Sequence, residues 1–145
     1  MEETDIEQAL IEHLQEFLLE LGNGFCFEAR QKRIVIEDEY YFADLVFYHR
    51  ILHCHVIIEI KNDEFRQEHV GQPNTYVAYY KDKMMQKDDN PPVGILLCTH
   101  AKKKLVEYTT AGMDNQLFVS RYMLELPSKE TLTEFIMCEI RNLKV

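Results

Sequence analysis

The apolar residues near the start of the chain recur at helical spacing. Between residues 6 and 21 they lie three and four positions apart with acidic residues between them, and glycines follow at 22 and 24. This periodicity predicts an amphipathic first helix that ends at the glycines. Four runs rich in β-branched and aromatic residues come next, separated by short charged breaks, and they predict a β-meander of three or four strands: 25–30, 33–36, 40–49 and 51–60.

The second half of the chain alternates between helical and strand-like patterns. Residues 68–85 have helical spacing, with Pro73 expected in about the first turn, and 93–98 is typical of a strand buried on both faces. The remaining patterns predict a helix, a short strand and a closing helix: 101–111, 117–120 and 128–143. The predicted order is α-β-β-β-α-β-α-β-α. Because no repeat or linker divides it, we expect one mixed α/β domain over residues 1–145.

The composition agrees with a globular domain, since 46% of the 145 residues are hydrophobic and 28% are charged. No apolar run approaches the roughly 18 residues of a membrane span, and the acidic start lacks the features of a secretory leader. We therefore expect a cytoplasmic protein, whether it is complete or a piece of a longer chain. The four cysteines lie far apart and predict buried free thiols: Cys26, Cys54, Cys98 and Cys138.

Two carboxylates interrupt the apolar strands. Asp44 lies within the predicted strand 40–49, and Glu59 follows the apolar run 56–58 on the next strand, where we expect that strand to end. A buried charge needs a partner, and two carboxylates at adjacent strand ends, with a backbone carbonyl between them, suit a hard ion such as Mg²⁺. Lys61 shares a strand face with Glu59 and is placed to orient an attacking water. The pattern favours metal-assisted phosphodiester hydrolysis, and the simpler alternative is a salt-bridged cluster at a sheet edge.

Asp44 followed by Glu59-Ile60-Lys61 resembles the signature of the PD-(D/E)XK nuclease superfamily, although Ala43 stands where that signature has proline. Gln72 and Tyr76 add the Q-x-x-x-Y spacing of several nuclease branches, which places both on one helical face. More specifically, the chain resembles the C-terminal nuclease domain of YhcG-type proteins from about residue 5 to about residue 127. Four segments carry that resemblance: 24–36, 40–61, 71–80 and 88–98.

The resemblance implies a restriction-endonuclease-like mixed β-sheet core flanked by helices. It implies a Mg²⁺ site, open also to Mn²⁺, on Asp44, Glu59 and the Ile60 carbonyl. A glutamate of the first helix often completes such sites, and of the two candidates Glu12 is slightly favoured over Glu16. The implied catalytic set is Asp44, Glu59, Lys61, Gln72, Tyr76 and Glu12.

The implied substrate is DNA, duplex or branched. Arg30, Gln31 and Arg33 lie at the predicted turn between the first two strands, where they would contact phosphates or form only a solvated turn. A different class of function stays open, namely a catalytically inactive nuclease-fold module that binds DNA or protein in a larger assembly. Related domains often pair to cut two strands, so a homodimer is also a candidate.

The remaining polar and aromatic clusters predict packing rather than chemistry. His53 and His55 share a strand face, but two residues do not complete a zinc site, so we expect ordinary strand residues. The aromatic residues of 40–48 are expected in the core.

The net charge of −9 argues against a simple basic nucleic-acid binder. Residues 1–29 contain eight acids and no lysine or arginine, so the acidity belongs mainly to the first helix and its approach. We expect weak intrinsic DNA affinity and a need for an additional N-terminal domain or partner subunit.

Overall fold

A five-stranded mixed sheet forms the centre of the protein in a computed structural model that describes residues 24–121. The strands are β1 (Phe25–Ile36), β2 (Glu39–His49), β3 (Cys54–Glu64), β4 (Val93–His100) and β5 (Gln116–Arg121). They lie in space in the order in which they occur along the chain. The pairs β1–β2 and β2–β3 are antiparallel, whereas β3–β4 and β4–β5 are parallel. The predicted meander is therefore confirmed with three strands.

Helices connect the parallel strands, because such strands cannot be joined by a tight hairpin. A short 3-10 helix (Gln67–Val70) leads into α1 (Gly71–Lys83) between β3 and β4, and α2 (Lys103–Thr110) joins β4 to β5. Pro73 lies in the first turn of α1, as predicted, where its missing N–H costs no helical hydrogen bond. The predicted helices at 6–21 and 128–143 lie outside the described residues. Within residues 24–121 no helix is long and apolar enough to cross a membrane.

The first strand is longer than the sequence predicts. The runs 25–30 and 33–36 form one strand, so the predicted turn between them is wrong. The register with β2 shifts by one residue at Glu28, which is a β-bulge, and Gln31 has a positive φ of 50°. These two irregularities break the two-residue alternation, which is why the pattern looked like two strands.

The third strand is shifted relative to the prediction. Residues 50–53 form the turn after β2, and β3 begins at Cys54 and continues to Glu64. Glu59 and Lys61 therefore lie within the strand rather than at its end. The strand continues because β4 pairs with it beyond Glu59, through Glu59–Leu96, Ile60–Leu97 and Lys61–Cys98.

One side of the sheet packs against α1. A cluster of buried residues forms this part of the core: Ile34, Ala43, Val46, Ile57, Tyr76, Val77 and Tyr80. Gly94 of β4 allows the close approach, because a Cβ there would lie 2.8 Å from Val77 Cγ2 and 2.8 Å from Leu117 Cδ1. Ala43 and Val46 are three residues apart on β2 yet belong to the same cluster, so the alternation of β2 is interrupted next to Asp44.

Two expectations about burial are wrong. Cys26 is an exposed thiol, whereas Cys54 and Cys98 are buried thiols as predicted; Cys138 lies outside the described residues. Of the aromatic residues expected in the core, Tyr40 is 64% exposed and Phe42 is 50% exposed. Tyr40 and Phe42 are exposed because the strand pairing near Asp44 is irregular. This irregularity turns the side chains at even-numbered positions in this part of β2 away from α1.

Candidate active site

The candidate site lies where the sheet forks. The ladder between β2 and β3 ends at the pair Leu45–Ile58, and beyond it β2 stays paired with β1 while β3 stays paired with β4. Asp44 and Glu59 are the next residues on the two diverging strands. The fork therefore brings together two carboxylates that are fifteen positions apart in sequence.

Side chains replace the missing ladder hydrogen bonds at the fork. The Asp44 N–H donates to Glu59 Oε1 over 3.0 Å, and the Ile60 N–H donates to Asp44 Oδ2 over 2.8 Å. Gln31 Nε2 donates to Asp44 Oδ1 over 3.0 Å, from the opposite strand of the hairpin. Both Asp44 oxygens are therefore held in place. The Ile60 carbonyl leaves the strand on the same side as its N–H, toward the same gap.

Glu59 is an unusual carboxylate because it is only 3% exposed. Burial, followed by the nearby charge of Asp44, raises its pKa well above 4.5, and Lys61 opposes the rise. Two carboxylates this close stay ionised together only when a cation offsets their charge. The electrostatics of the fork therefore favour binding of a cation or retention of a proton.

Lys61 lies two residues after Glu59 on β3, so the two side chains share one face of the strand. It is half-buried and makes no ion pair with another residue of 24–121. Its charge acts on Glu59 without a direct contact. The ammonium group therefore lies on the side of β3 that carries Glu59.

Helix α1 brings Tyr76 to the fork. Tyr76 is 2% exposed, and burial, followed by the charges of Glu59 and Asp44, raises its pKa to about 12. It therefore keeps its proton at neutral pH. Gln72, four residues earlier, is exposed in the first turn of α1. Both line one cleft of about 400 Å³, together with Ile36, Tyr41, Glu68, Gly71 and Thr75.

The three residues predicted to contact nucleic acid lie within β1 rather than at a turn. Arg30 and Arg33 are exposed, and the guanidinium of Arg33 lies 5.3 Å from the centre of the Tyr40 ring. Gln31 points instead to Asp44. Sequence reasoning missed this contact because it depends on the bulge at Glu28, which sets residue 31 opposite residue 44.

Of the two histidines predicted to be ordinary strand residues, only His55 lies in a strand. His55 is buried, contacts the Tyr48 and Tyr80 rings, and pairs with Glu28 over 3.3 Å, whereas His53 lies in the turn before β3. In the part of the chain that the structure describes, no group of three or more His, Cys, Asp or Glu could hold a metal ion. Glu12, the proposed third carboxylate, lies outside that part.

The mixed sheet, with an aspartate and a Glu-x-Lys at the fork of its central strands, defines a restriction-endonuclease-like protein of the PD-(D/E)XK class. The family of the YhcG PDDEXK nuclease domain matches residues 1–136, and this chain belongs to it.

One curated protein is similar to this chain in sequence, and one solved structure is similar to it in fold. The chain is 39% identical to YhcG of Escherichia coli (strain K12) over 132 residues, which are 91% of this chain and 35% of that protein. A repair endonuclease from Pyrococcus abyssi has a similar fold, with a TM-score of 0.51 and 22% identity over 85% of this chain and 48% of that chain. The chain thus spans about a third of its curated relative.

Proposed function

We propose that this domain hydrolyses DNA phosphodiester bonds with an activated water and no covalent intermediate, and that it requires Mg²⁺ or Mn²⁺. The observation that carries the proposal is the fork, where Asp44 and Glu59 meet beside the main chain of Ile60. Membership of a nuclease family supports it. The negative charge of Asp44 and Glu59 also supports the proposal, because a divalent cation would offset the repulsion between the two carboxylates.

The residues at the fork fit a Mg²⁺ ion. Oxygen ligands from one or two carboxylates are the usual protein contribution to such sites, with water and substrate phosphate as the other ligands. Asp44, Glu59 and the Ile60 carbonyl would supply three oxygens. When bound, the ion would polarise the phosphoryl group and stabilise the leaving oxygen.

The other side chains would position the reactants. Lys61 shares a strand face with Glu59, and its ammonium group would orient the attacking water by donating a hydrogen bond to it. In its neutral amine form Lys61 would accept the proton of that water. Tyr76 would donate a hydrogen bond from its neutral hydroxyl beside the same carboxylates. Gln72 would contact DNA at the mouth of the cleft that it shares with Tyr76. Glu12 would supply the further carboxylate that the family resemblance implies.

DNA binding would depend on more than residues 1–145. Arg30 and Arg33 are exposed on β1 near Asp44 and would contact phosphates, but the net charge of −9 opposes the approach of a polyanion. We therefore propose that an additional N-terminal domain, a partner subunit or a second copy helps to hold the substrate.

Cleavage of plasmid and branched DNA by the 145-residue chain tests the proposal. Asp44→Asn and Glu59→Gln should each slow Mg²⁺- or Mn²⁺-dependent cleavage by more than about 100-fold, since the charge stabilisation at stake is several kcal/mol. Matched controls are Asp82→Asn and Glu107→Gln, two exposed carboxylates on α1 and α2 that should leave the rate unchanged. Cleavage that survives Glu59→Gln, or that survives EDTA, contradicts the assignment. Metal binding without any cleavage would instead indicate an inactive nuclease-fold module.

A further inference from the structure

The β1–β2 hairpin exposes a group of aromatic and apolar side chains on the face that points away from α1. Ile34 and Ile36 pack toward α1, so the alternating Arg33 and Val35 lie on the opposite face. Their cross-strand partners are Phe42 and Tyr40. We call the group Arg33, Val35, Tyr40 and Phe42 the outer hairpin face.

The outer hairpin face presents flat rings to solvent. Tyr40 is 64% exposed, Phe42 is 50% exposed and Val35 is 44% exposed. Exposed clusters of this kind, rather than single exposed apolar residues, mark binding surfaces. The face therefore offers apolar and π surface to a binding partner.

Charge along the hairpin indicates the chemistry of that occupant. Arg33 lies over the Tyr40 ring at 5.3 Å, and Arg30 lies three residues earlier on the same strand. Lys32, which pairs with Ala43, lies on the α1 face instead. The acidic residues 37–39 lie at the turn of the hairpin, next to Tyr40 and on the side away from Asp44. Aromatic rings interleaved with cations are the combination that binds single-stranded nucleic acid, because bases stack on the rings and phosphates meet the cations.

We propose that the outer hairpin face is a stacking platform for unpaired bases, so that the substrate carries a single-stranded segment next to the bond that is cut. The inference rests on the nuclease function proposed above and narrows its substrate class. At about 3.3 Å per residue, Phe42 and Tyr40 lie roughly 7 Å and 13 Å along β2 from Asp44. Bases on the platform would therefore be only a few nucleotides from the fork.

The position of the platform also favours a single strand over a duplex. Glu59 faces α1, as its effect on Tyr76 indicates, whereas Tyr40 and Phe42 lie on the other side of the sheet. A nucleic acid that touches both must turn around the forked end of the sheet. Duplex DNA has a persistence length of about 50 nm and resists such a turn, whereas an unpaired strand does not.

A second copy of the chain fits the face less well. A stable interface needs about 800 Å² from each partner. Three partly exposed apolar side chains and one arginine are too few to provide it. The hairpin face therefore matches a nucleic-acid strand, for which each stacked base contributes separately.

The test measures binding in EDTA, where cleavage plays no part. Fluorescence anisotropy would compare a labelled oligothymidylate of about 15 nucleotides with a blunt duplex of the same length. Tyr40→Ala and Phe42→Ala should each weaken binding of the single strand by about fivefold or more and change duplex binding by less than about twofold. Tyr40→Phe keeps the ring and should bind normally. Tyr108→Ala is the matched control, because Tyr108 is 75% exposed on α2.

The outcomes separate this inference from the proposed function. Single-strand affinity unchanged in Tyr40→Ala and Phe42→Ala overturns the platform, even if the wild type cleaves DNA. Equal losses of affinity for the single strand and the duplex also overturn the platform, because the rings would then not be stacking on unpaired bases. A dimer in sedimentation that Tyr40→Ala dissociates, without an effect on DNA, would identify a second copy as the occupant. Selective loss of single-strand binding supports the platform even if no cleavage is found.

Discussion

At the scale of single residues, Glu59 is held in an environment that disfavours its charge. It is 3% exposed and lies against a second carboxylate, so its pKa is raised by burial and by Asp44. The ionised form therefore destabilises the metal-free fold. That cost is absent below the usual pKa of 4.5, grows as the pH rises through the folded-state pKa, and is fully present above it.

Glu59→Gln should therefore stabilise the metal-free protein at pH 8 while it abolishes cleavage. The amide oxygen can still accept the Asp44 N–H, and the buried charge is removed, so we expect a gain of about 1 kcal/mol or more. Thermal unfolding in EDTA at pH 8 and at pH 4 measures the effect. The gain should shrink at pH 4, where the wild-type carboxyl is protonated. A variant that is less stable than the wild type at pH 8 would show that the charge of Glu59 does not destabilise the fold.

Gln31, which the sequence predicts as a nucleic-acid contact, lies against Asp44 in the structure. Its amide holds Asp44 Oδ1 over 3.0 Å, and its positive φ of 50° is a conformation that costs an L-residue roughly 1–2 kcal/mol. Gln31 therefore combines a strained backbone conformation with the hydrogen bond to Asp44. The arrangement indicates that Gln31 positions the Asp44 carboxylate.

Gln31→Leu removes the amide, and we expect Mn²⁺ affinity and cleavage to fall by about 10- to 100-fold, as for other residues that orient a ligand. Gln31→Gly removes the backbone strain at this position and should be at least as stable as the wild type. Its Mn²⁺ affinity and cleavage rate should fall as much as those of Gln31→Leu. Calorimetric Mn²⁺ titration with thermal unfolding of each variant separates the two effects. Gln67→Leu, an exposed glutamine of the 3-10 helix, is the control. Normal Mn²⁺ affinity in both Gln31 variants would contradict a positioning role.

At the scale of elements, much of the sheet could be predicted because its patterns are local. The apolar run of β4, the Pro73 turn of α1 and the spacing of Asp44 to Glu59 all appear in the sequence and in the structure. The single long β1 could not be predicted, because its continuity depends on pairing with β2 across a bulge. For the same reason the exposure of Tyr40 and Phe42 could not be read from β-propensity alone.

The bulge at Glu28 also creates a polar cluster with α1. Glu28 accepts a hydrogen bond from Tyr80 over 3.2 Å and pairs with the buried His55 over 3.3 Å. The hydrogen bond with His55 lowers the pKa of Glu28 below 4.5, while partial burial opposes that change. The cluster ties β1 to β3 and to α1. Its stabilisation is present above pH 4.5 and is lost as the pH falls through the lowered pKa.

Glu28→Gln should destabilise the protein by about 1 kcal/mol at pH 7, a modest value because the side chain is one-third exposed. The difference from wild type should shrink as the pH falls below 4.5 and disappear once the pH is below the lowered pKa of Glu28, because the group is then protonated in both states. Urea unfolding at pH 7 and at pH 3.5 measures it. Glu107→Gln, which breaks only an exposed pair on α2, should have little effect at either pH. A pH-independent difference would exclude a contribution from the Glu28 charge.

At the scale of the whole molecule, the distribution of charge bears on how the proposed nuclease domain would hold DNA. The acids of residues 1–29 account for most of the net charge of −9, and the chain corresponds to 35% of the length of its Escherichia coli relative. We therefore expect the 145 residues alone to bind DNA weakly and with a strong dependence on salt. The fork provides the chemistry in this account, and the outer hairpin face selects the substrate.

The central claim is that Asp44 and Glu59 hold a divalent cation, and anomalous diffraction from crystals soaked in Mn²⁺ tests it most directly. The account predicts an anomalous peak between the two carboxylates and beside the Ile60 carbonyl, and its loss in Asp44→Asn crystals. Calorimetry would then show one Mn²⁺ per wild-type chain at this site. Crystals without a peak at the fork, at a Mn²⁺ concentration that supports cleavage in solution, would contradict the account.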